Sequence, residues 1–299
     1  MIPSPPRGFR VSVDVDGVAR VMHVHEWGDR LATHAVICVH GLTRNGRDFD
    51  VLASRLAVSS RVLCPDVPGR GQSDWLARVE HYSIPTYLRF MQALLLESGI
   101  RRADWVGTSM GGLIGMALAA TPEQPIRRLV LNDVGPAIER RGLERIASYV
   151  GSVASFVSFE ALLAAVAPAL DPFGPLTDEQ RRHLVETSWE RRADGRWHSK
   201  TDPKIGAAFL ASLDMPPVDL WPLWERCASA VESILILRGE YSDLLSPETV
   251  ETMLATAPNA RAIIVPQTGH APMLMDAQTI SVVEAFLLAP SRARGDEAF

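Results

Sequence analysis

The sequence predicts an α/β protein with a mostly parallel, doubly wound sheet and an inserted helical segment. Continuous apolar runs at 35–39 and 126–131 are typical of strands that are covered on both faces. Helical patterns separate such runs, except between 134 and 229, where helical patterns follow one another without a clear strand. A Gly-x-Ser-x-Gly motif centred on Ser109 lies between a strand and a helix.

The remaining elements follow from periodicity and turn residues. Alternating segments at 9–15 and 19–26, joined by Asp16-Gly17, predict an antiparallel hairpin at one edge of the sheet. Further strands are expected at 61–64, 234–237 and 262–265, and helices at 48–57, 84–96, 113–120, 247–254 and 273–288. The predicted helices of the insertion are 139–150, 159–169, 178–191, 204–213 and 218–226.

These elements predict a core of residues 1–133 and 230–290, an insertion of residues 134–229 and a disordered tail at 291–299. The 299 residues suffice for one large domain, and 47% hydrophobic with 22% charged residues is ordinary for a globular protein. The net charge of −5 without a basic stripe argues against nucleic acid as a partner. A homo-oligomer is compatible with this composition.

The N-terminal residues 1–8 are rich in proline and lack the apolar segment of a signal peptide. Three scattered cysteines form no disulfide framework, so a cytoplasmic protein with reduced thiols is expected. The apolar stretch 150–170 is interrupted by glycine, serines and a glutamate, which predicts packed amphipathic helices and no membrane partner. The sequence contains no His-Glu-x-x-His motif or cysteine cluster, so neither a metal nor another cofactor is expected.

Ser109 is the candidate nucleophile because a sharp strand-to-helix turn would expose its hydroxyl at the edge of the sheet. Such a turn brings the residues two before and two after the serine close to neighbouring backbone. Glycine at positions 107 and 111 avoids the clash that a Cβ would cause there. The N-terminus of the following helix favours developing negative charge.

A serine hydroxyl needs a base, and the base needs a group that fixes its tautomer. His270, in Thr-Gly-His-Ala-Pro after the last predicted strand, is the candidate base. Asp133 and Asp243 each follow a strand and either could orient the histidine, since the carboxyl ends of parallel strands share one edge of the sheet. Asp243 is favoured, and Glu240 lies nearby.

The chain resembles the α/β-hydrolase family from about residue 9 to residue 288. The resemblance rests on His40-Gly-Leu, Asp66-Val-Pro-Gly-Arg-Gly-Gln-Ser, Gly-Thr-Ser-Met-Gly, Arg-Gly-Glu-Tyr-Ser-Asp and Gly-His-Ala-Pro. It implies the order nucleophile, acid and histidine, which Ser109, Asp243 and His270 obey. It also implies that the insertion caps the site and that the backbone N–H groups of Leu42 and Met110 bind the oxyanion.

The resemblance implies a hydrolase that cleaves a small carboxylic ester through an acyl-enzyme. Relatives of the same fold cleave carbon–carbon bonds, open lactones or make peracids, and a ligand receptor without turnover is a further alternative. Dehalogenation is disfavoured because relatives that catalyse it have an aspartate where this chain has Ser109. Trp221 and Trp224 are the candidates for lining the substrate pocket, with packing between helices as the alternative.

Overall fold

The computed structural model describes residues 6–290 and, within them, one eight-stranded sheet and one three-stranded sheet. The predicted disordered tail, 291–299, lies outside the described residues. In chain order the strands are β1 (Arg7–Val15), β2 (Val18–Trp27), β3 (Ala35–Val39), β4 (Arg61–Pro65), β5 (Ala103–Thr108), β6 (Ile126–Asn132), β7 (Ser155–Phe156), β8 (Trp189–Arg191), β9 (Trp197–Ser199), β10 (Ser233–Gly239) and β11 (Ala260–Val265).

Helices cover both faces of the large sheet and fill most of the insertion. In chain order the α-helices are α1 (Asp50–Leu56), α2 (Ile84–Ser98), α3 (Met110–Ala119), α4 (Arg140–Ala147), α5 (Phe159–Val166), α6 (Asp178–Ser188), α7 (Lys204–Leu213), α8 (Trp221–Ala230), α9 (Pro247–Thr256) and α10 (Ala277–Leu287). Short 3₁₀ helices occur at Gly46–Phe49, Val79–His81 and Ala167–Phe173.

The large sheet has the strand order β1-β2-β4-β3-β5-β6-β10-β11. The β1–β2 hairpin is antiparallel with Asp14 opposite Ala19, and β2 pairs antiparallel with β4. All later pairs are parallel, so β5, β6 and β10 end at the same edge. The predicted fold class is confirmed, including the hairpin at one edge.

Two apolar clusters lie on opposite faces of this sheet. One packs α2, α3, α8 and α9 against it, with fully buried side chains such as Phe90 and Ile114. The other packs α1 and α10, with Leu52 and Val283 among its buried members. Because helices cover both faces, the central strands lack a polar face, which is why their sequences are continuous apolar runs.

The insertion contains a small antiparallel sheet of order β7-β9-β8 that its sequence did not predict. The helix expected at 178–191 ends at Ser188, and 189–191 form β8. A turn at Asp194-Gly195, with φ of 77° at Gly195, joins β8 to β9, and aromatic rings of Phe156 and Trp189 pack edge to face at 5.4 Å. Strands of two or three residues are too short to show the alternation of apolar and polar residues from which a strand is predicted.

Among residues 6–290 no single helix has the length and apolar composition needed to cross a membrane. The segments Phe159–Phe173 and Asp178–Ser188 meet that test only as a pair, and they are bent by 111° at the break between them.

Helix α8, at the C-terminal end of the predicted insertion, packs against the core. It packs on α3, and Trp224 is fully buried in the same apolar cluster. The prediction that Trp224 lines a substrate pocket is therefore wrong, because a ring enclosed between core helices has no face left for a ligand. Trp221, the first residue of α8, is half-buried and stays a candidate.

Replacing Trp224 by alanine is expected to lower the free energy of unfolding by roughly 3–5 kcal/mol. The change empties a fully buried site and removes the bond from Trp224 Nε1 to Thr256 Oγ1, which measures 2.9 Å. Urea denaturation measures the loss, and Trp221→Ala is the matched variant with a half-buried ring. A change in preferred ester size in Trp224→Ala would contradict its place in the core.

Candidate active site

Ser109 lies at a tight turn between β5 and α3, as the sequence predicts. Its backbone has φ 52° and ψ −116°, a strained conformation that projects the side chain away from the sheet. A Cβ at Gly111 would overlap the carbonyl oxygen of Val39, and one at Gly107 would overlap the backbone of Gly111. The two glycines therefore allow β5, α3 and the neighbouring strand to meet at this point.

His270 connects Ser109 to a carboxylate through both of its ring nitrogens. Its Nε2 is 2.9 Å from Ser109 Oγ, and its Nδ1 is 2.8 Å from Asp133 Oδ2. Because a carboxylate only accepts hydrogen bonds, Nδ1 carries the proton of the neutral ring, and Nε2 has a lone pair for the serine hydroxyl. The ring is thus oriented as a base for Ser109.

Asp133 is fully buried, and its carboxylate accepts three hydrogen bonds. Oδ1 accepts from the N–H of Gly239 at 2.9 Å, while Oδ2 accepts from Ser242 Oγ at 2.7 Å and from His270 Nδ1 at 2.8 Å. The backbone of Asp133 has φ 59°, a left-handed conformation directly after the extended residues of β6. These bonds fix the carboxylate against the ring of the histidine.

Asp243, which the sequence analysis favoured as the partner of His270, forms no hydrogen bond with it within residues 6–290. Arg145 of α4 instead binds the Asp243 carboxylate through two nitrogens, at 2.6 and 2.8 Å. This bidentate bond to the guanidinium lowers the pKa of Asp243. The assignment is therefore corrected to Asp133, because Asp243 is held by a helix of the insertion 98 residues away along the chain.

Asn132 and Ser242 support this arrangement, and neither residue was predicted to do so. The Asn132 amide donates to Thr108 Oγ1 at 2.9 Å and to the carbonyl of Pro272 at 2.8 Å, so it links the ends of β5 and β6 to the loop that carries His270. Ser242 Oγ accepts the N–H of Leu245 at 3.1 Å while it donates to the Asp133 carboxylate. The position of Ser242 directly before Asp243 is the one signal in the sequence that places it near the site.

The N–H groups of Leu42 and Met110 donate no hydrogen bond within residues 6–290, as groups that bind an oxyanion require. Met110 is the first residue of α3, and Leu42 follows Gly41, where a Cβ would lie 3.7 Å from Ser109 Cβ. The carbonyl of Gly41 accepts from His40 Nδ1 at 2.7 Å, which fixes the peptide group that ends in the Leu42 N–H.

His40 itself has a structural role. It is fully buried, and its Nε2 accepts the N–H of Val67 at 2.9 Å. Burial, with a contribution from the charge of Arg70, lowers the pKa of His40 to about 3. The ring therefore stays neutral at physiological pH and can hold the loops after β3 and β4 together.

The insertion is hydrogen-bonded to the loops around Ser109. Asn45 Nδ2 donates to Ser188 Oγ at 3.2 Å, and Thr201 Oγ1 donates to the carbonyl of Thr43 at 3.1 Å. In addition, the N–H of Glu139 donates to the carbonyl of Leu244 at 2.9 Å. The segment therefore contacts loops at the edge of the sheet that carries the serine. Within the described part of the chain, no group of three or more His, Cys, Asp or Glu side chains could hold a metal ion.

Taken with the fold, this geometry defines a hydrolase. The model of the alpha/beta hydrolase family matches residues 36–282. The chain therefore belongs to the alpha/beta hydrolase family, and the resemblance inferred from its motifs is confirmed.

Similar proteins include hydrolases and esterases. The 3-hydroxybutyrate-oligomer hydrolase of Cupriavidus necator is 40% identical over 96% of this chain and 99% of its own. An esterase of Mycobacterium tuberculosis is 28% identical over 82% of this chain and 78% of its own. The crystal structure of an alpha/beta hydrolase from Novosphingobium aromaticivorans has a TM-score of 0.84 at 36% identity, covering 95% of this chain and 99% of that one. The prediction of a hydrolase is confirmed, and these relatives are consistent with action on ester bonds.

Proposed function

We propose that this protein is a serine hydrolase that cleaves small carboxylic esters, with Ser109 as nucleophile, His270 as base and Asp133 as the acid that orients it. The continuous chain of hydrogen bonds from Ser109 Oγ through His270 to Asp133, at 2.9 and 2.8 Å, carries this proposal. Its distances suit proton transfer from the hydroxyl to Nε2. Ser109 has a strained backbone, and its side chain forms no capping hydrogen bond with α3. The hydroxyl is therefore free to bond with His270.

The reaction would proceed in two half-reactions. His270 Nε2 takes the proton of Ser109, and Oγ attacks the carbonyl carbon of the ester. The N–H groups of Leu42 and Met110 stabilise the negative oxygen of the tetrahedral intermediate. His270 then protonates the leaving alcohol, and the acyl group stays on Ser109. A water molecule, deprotonated by His270, attacks the acyl-enzyme and releases the carboxylic acid.

The substrate class that we propose is short esters of hydroxy acids, such as the dimer and trimer of 3-hydroxybutyrate. The named activity of the relative at 40% identity supports this choice, since that relative is matched over almost its whole length. It also favours ester cleavage over the cleavage of carbon–carbon bonds. The cytoplasmic location expected from the sequence stays a prediction that cell fractionation would test.

The proposal is tested by turnover on a matched set of substrates. The set contains p-nitrophenyl esters from acetate to octanoate, the 3-hydroxybutyrate dimer and trimer, butyrolactones and a diketone acid. We expect sustained hydrolysis of the esters and the highest kcat/KM among the hydroxybutyrate oligomers. Release of only one equivalent of p-nitrophenol, with no later turnover on any substrate, would support a ligand receptor instead. A higher kcat/KM for lactones or diketone acids would reassign the reaction.

A further inference from the structure

Arg70 is a fully buried arginine in the loop between β4 and α2. Its Nε donates to the carbonyl of Leu42 at 2.8 Å, and its Nη2 donates to Met110 Sδ at 3.4 Å. Nη1 donates to the carbonyl of Pro68 at 2.7 Å and to the hydroxyl of Tyr87 at 2.9 Å. The guanidinium thus contacts Leu42 and Met110, the two residues whose N–H groups are the candidate oxyanion donors.

No carboxylate among the residues that the structure describes pairs with the guanidinium of Arg70. Within residues 6–290 its hydrogen-bond partners are carbonyl oxygens, a hydroxyl and a thioether, and it forms no ion pair. Aromatic rings lie next to it, with 5.1 Å from Arg70 Cζ to the ring centre of Tyr87 and 5.9 Å to that of Tyr82. Burying a cation without a counter-ion costs free energy of folding. An apolar side chain of similar size would fill this position at a lower cost, so packing alone does not explain an arginine here.

The contacts of Arg70 complete the fixation of the Leu42 backbone. His40 holds the carbonyl of Gly41, and Arg70 holds the carbonyl of Leu42. The peptide groups on both sides of the Leu42 α-carbon are therefore fixed, which sets the direction of the Leu42 N–H. On the other side, the bond to Met110 Sδ fixes the side chain of the second donor residue.

We propose that Arg70 is a positioning residue for the transition state of ester hydrolysis. It holds Leu42 and Met110 so that their N–H groups converge on the oxyanion, and it places beside them a positive charge that pairs with no carboxylate of residues 6–290. This role rests on the proposed function. The negative charge that it favours develops only on the tetrahedral intermediate, so Arg70 acts on kcat and not on the binding of the neutral ester.

The test compares Arg70→Met and Arg70→Lys with Arg128→Met. Arg128 is also buried, but it lies at the start of β6 and donates to the carbonyls of Leu287 and Pro290, at the opposite edge of the sheet from Ser109. Active sites are counted by complete reaction with an organophosphonate, and kcat is expressed per active site. Inhibition by an alkylboronic acid, which forms a tetrahedral adduct with a serine, reports on the oxyanion site directly.

Arg70→Met is expected to lower kcat about 10- to 100-fold, with KM changed by less than about threefold. The Ki of the boronic acid should rise by about the same factor as kcat falls. Arg70→Lys should retain part of the rate, because lysine keeps the positive charge but lacks the planar guanidinium that donates several hydrogen bonds at once. Arg128→Met should lower the melting temperature while kcat per active site and the boronate Ki stay unchanged.

An unchanged kcat per active site in Arg70→Met, with only a lower melting temperature, would overturn the proposal and leave Arg70 a structural residue. If Arg70→Met does not fold, Arg70→Lys decides in the same way, since an unchanged kcat and Ki in that variant would also overturn it. Wild-type activity is measured first. Its absence would contradict the proposed function and, with it, this role of Arg70, whereas normal wild-type activity isolates the test of Arg70.

Discussion

Replacing Asp133 by asparagine is expected to lower kcat about 10⁴-fold, the effect of the same change in a serine protease. The Asn amide can donate to His270 Nδ1, which would then lack its proton, so that the proton moves to Nε2 and the ring can no longer accept from Ser109. Steady-state hydrolysis of a p-nitrophenyl ester measures the loss, and circular dichroism checks that the variant is folded.

Asp243→Asn is the matched control because it makes the same change at the carboxylate that the sequence favoured. Loss of the negative charge of Asp243 weakens its bond to Arg145 and should lower the free energy of unfolding by about 1 kcal/mol. We expect kcat to fall less than about tenfold. The reverse ranking, with Asp243→Asn the more damaging change, would return the role of the acid to Asp243. Equal and large losses would mean that Arg145 and Asp243 shape the site together with Asp133.

The choice between these two aspartates shows where sequence reasoning stops. Both follow strands of the parallel sheet, and both obey the chain order of nucleophile, acid and histidine. What separates them is which partner each carboxylate meets, Arg145 for one and Ser242 and His270 for the other. Such contacts join residues about a hundred positions apart and leave no periodic pattern in the sequence.

Ser109 and His270 were predictable because local chemistry determines their placement. Gly107 and Gly111 permit the turn that projects the serine, and an apolar strand followed by a helix-forming segment indicates that turn. His270 follows the last strand of the sheet, whose end lies at the same edge. Strand order then brings the two together without further information from the sequence.

The insertion was less predictable than the core. Residues 189–191 (β8) and 197–199 (β9) form strands of three residues each. β8 pairs with β9 and β9 pairs with β7, apart from the large sheet. The burial of Arg70 was not predicted from the sequence, for a related reason. In a loop rich in glycine and proline, an arginine is expected at the surface, and only tertiary packing shows that it is fully buried against Leu42 and Met110.

Replacing Ser109 by alanine should produce the largest effect on catalysis, with kcat lowered by about 10⁶-fold, as when the nucleophile of a serine protease is removed. The fold should persist, because the hydroxyl makes no cap bond to α3 and its described contact is the one to His270. Loss of that bond is worth about 1 kcal/mol of stability. Ester hydrolysis and thermal unfolding measure the two effects in the same preparation.

Labelling by an organophosphonate distinguishes the nucleophile from other serines. Ser73 is the matched control because it is buried in the loop that also carries Arg70, where its hydroxyl donates to the Asp66 carbonyl and accepts the N–H of His23 at 2.8 Å. Ser73→Ala should be labelled at Ser109 like the wild type, whereas Ser109→Ala should gain no mass. Turnover at the wild-type rate in Ser109→Ala, or a label on Ser73, would place the nucleophile elsewhere. Since His270 Nε2 faces only Ser109 Oγ among its described hydrogen-bond partners, a different serine would have no base positioned to activate it.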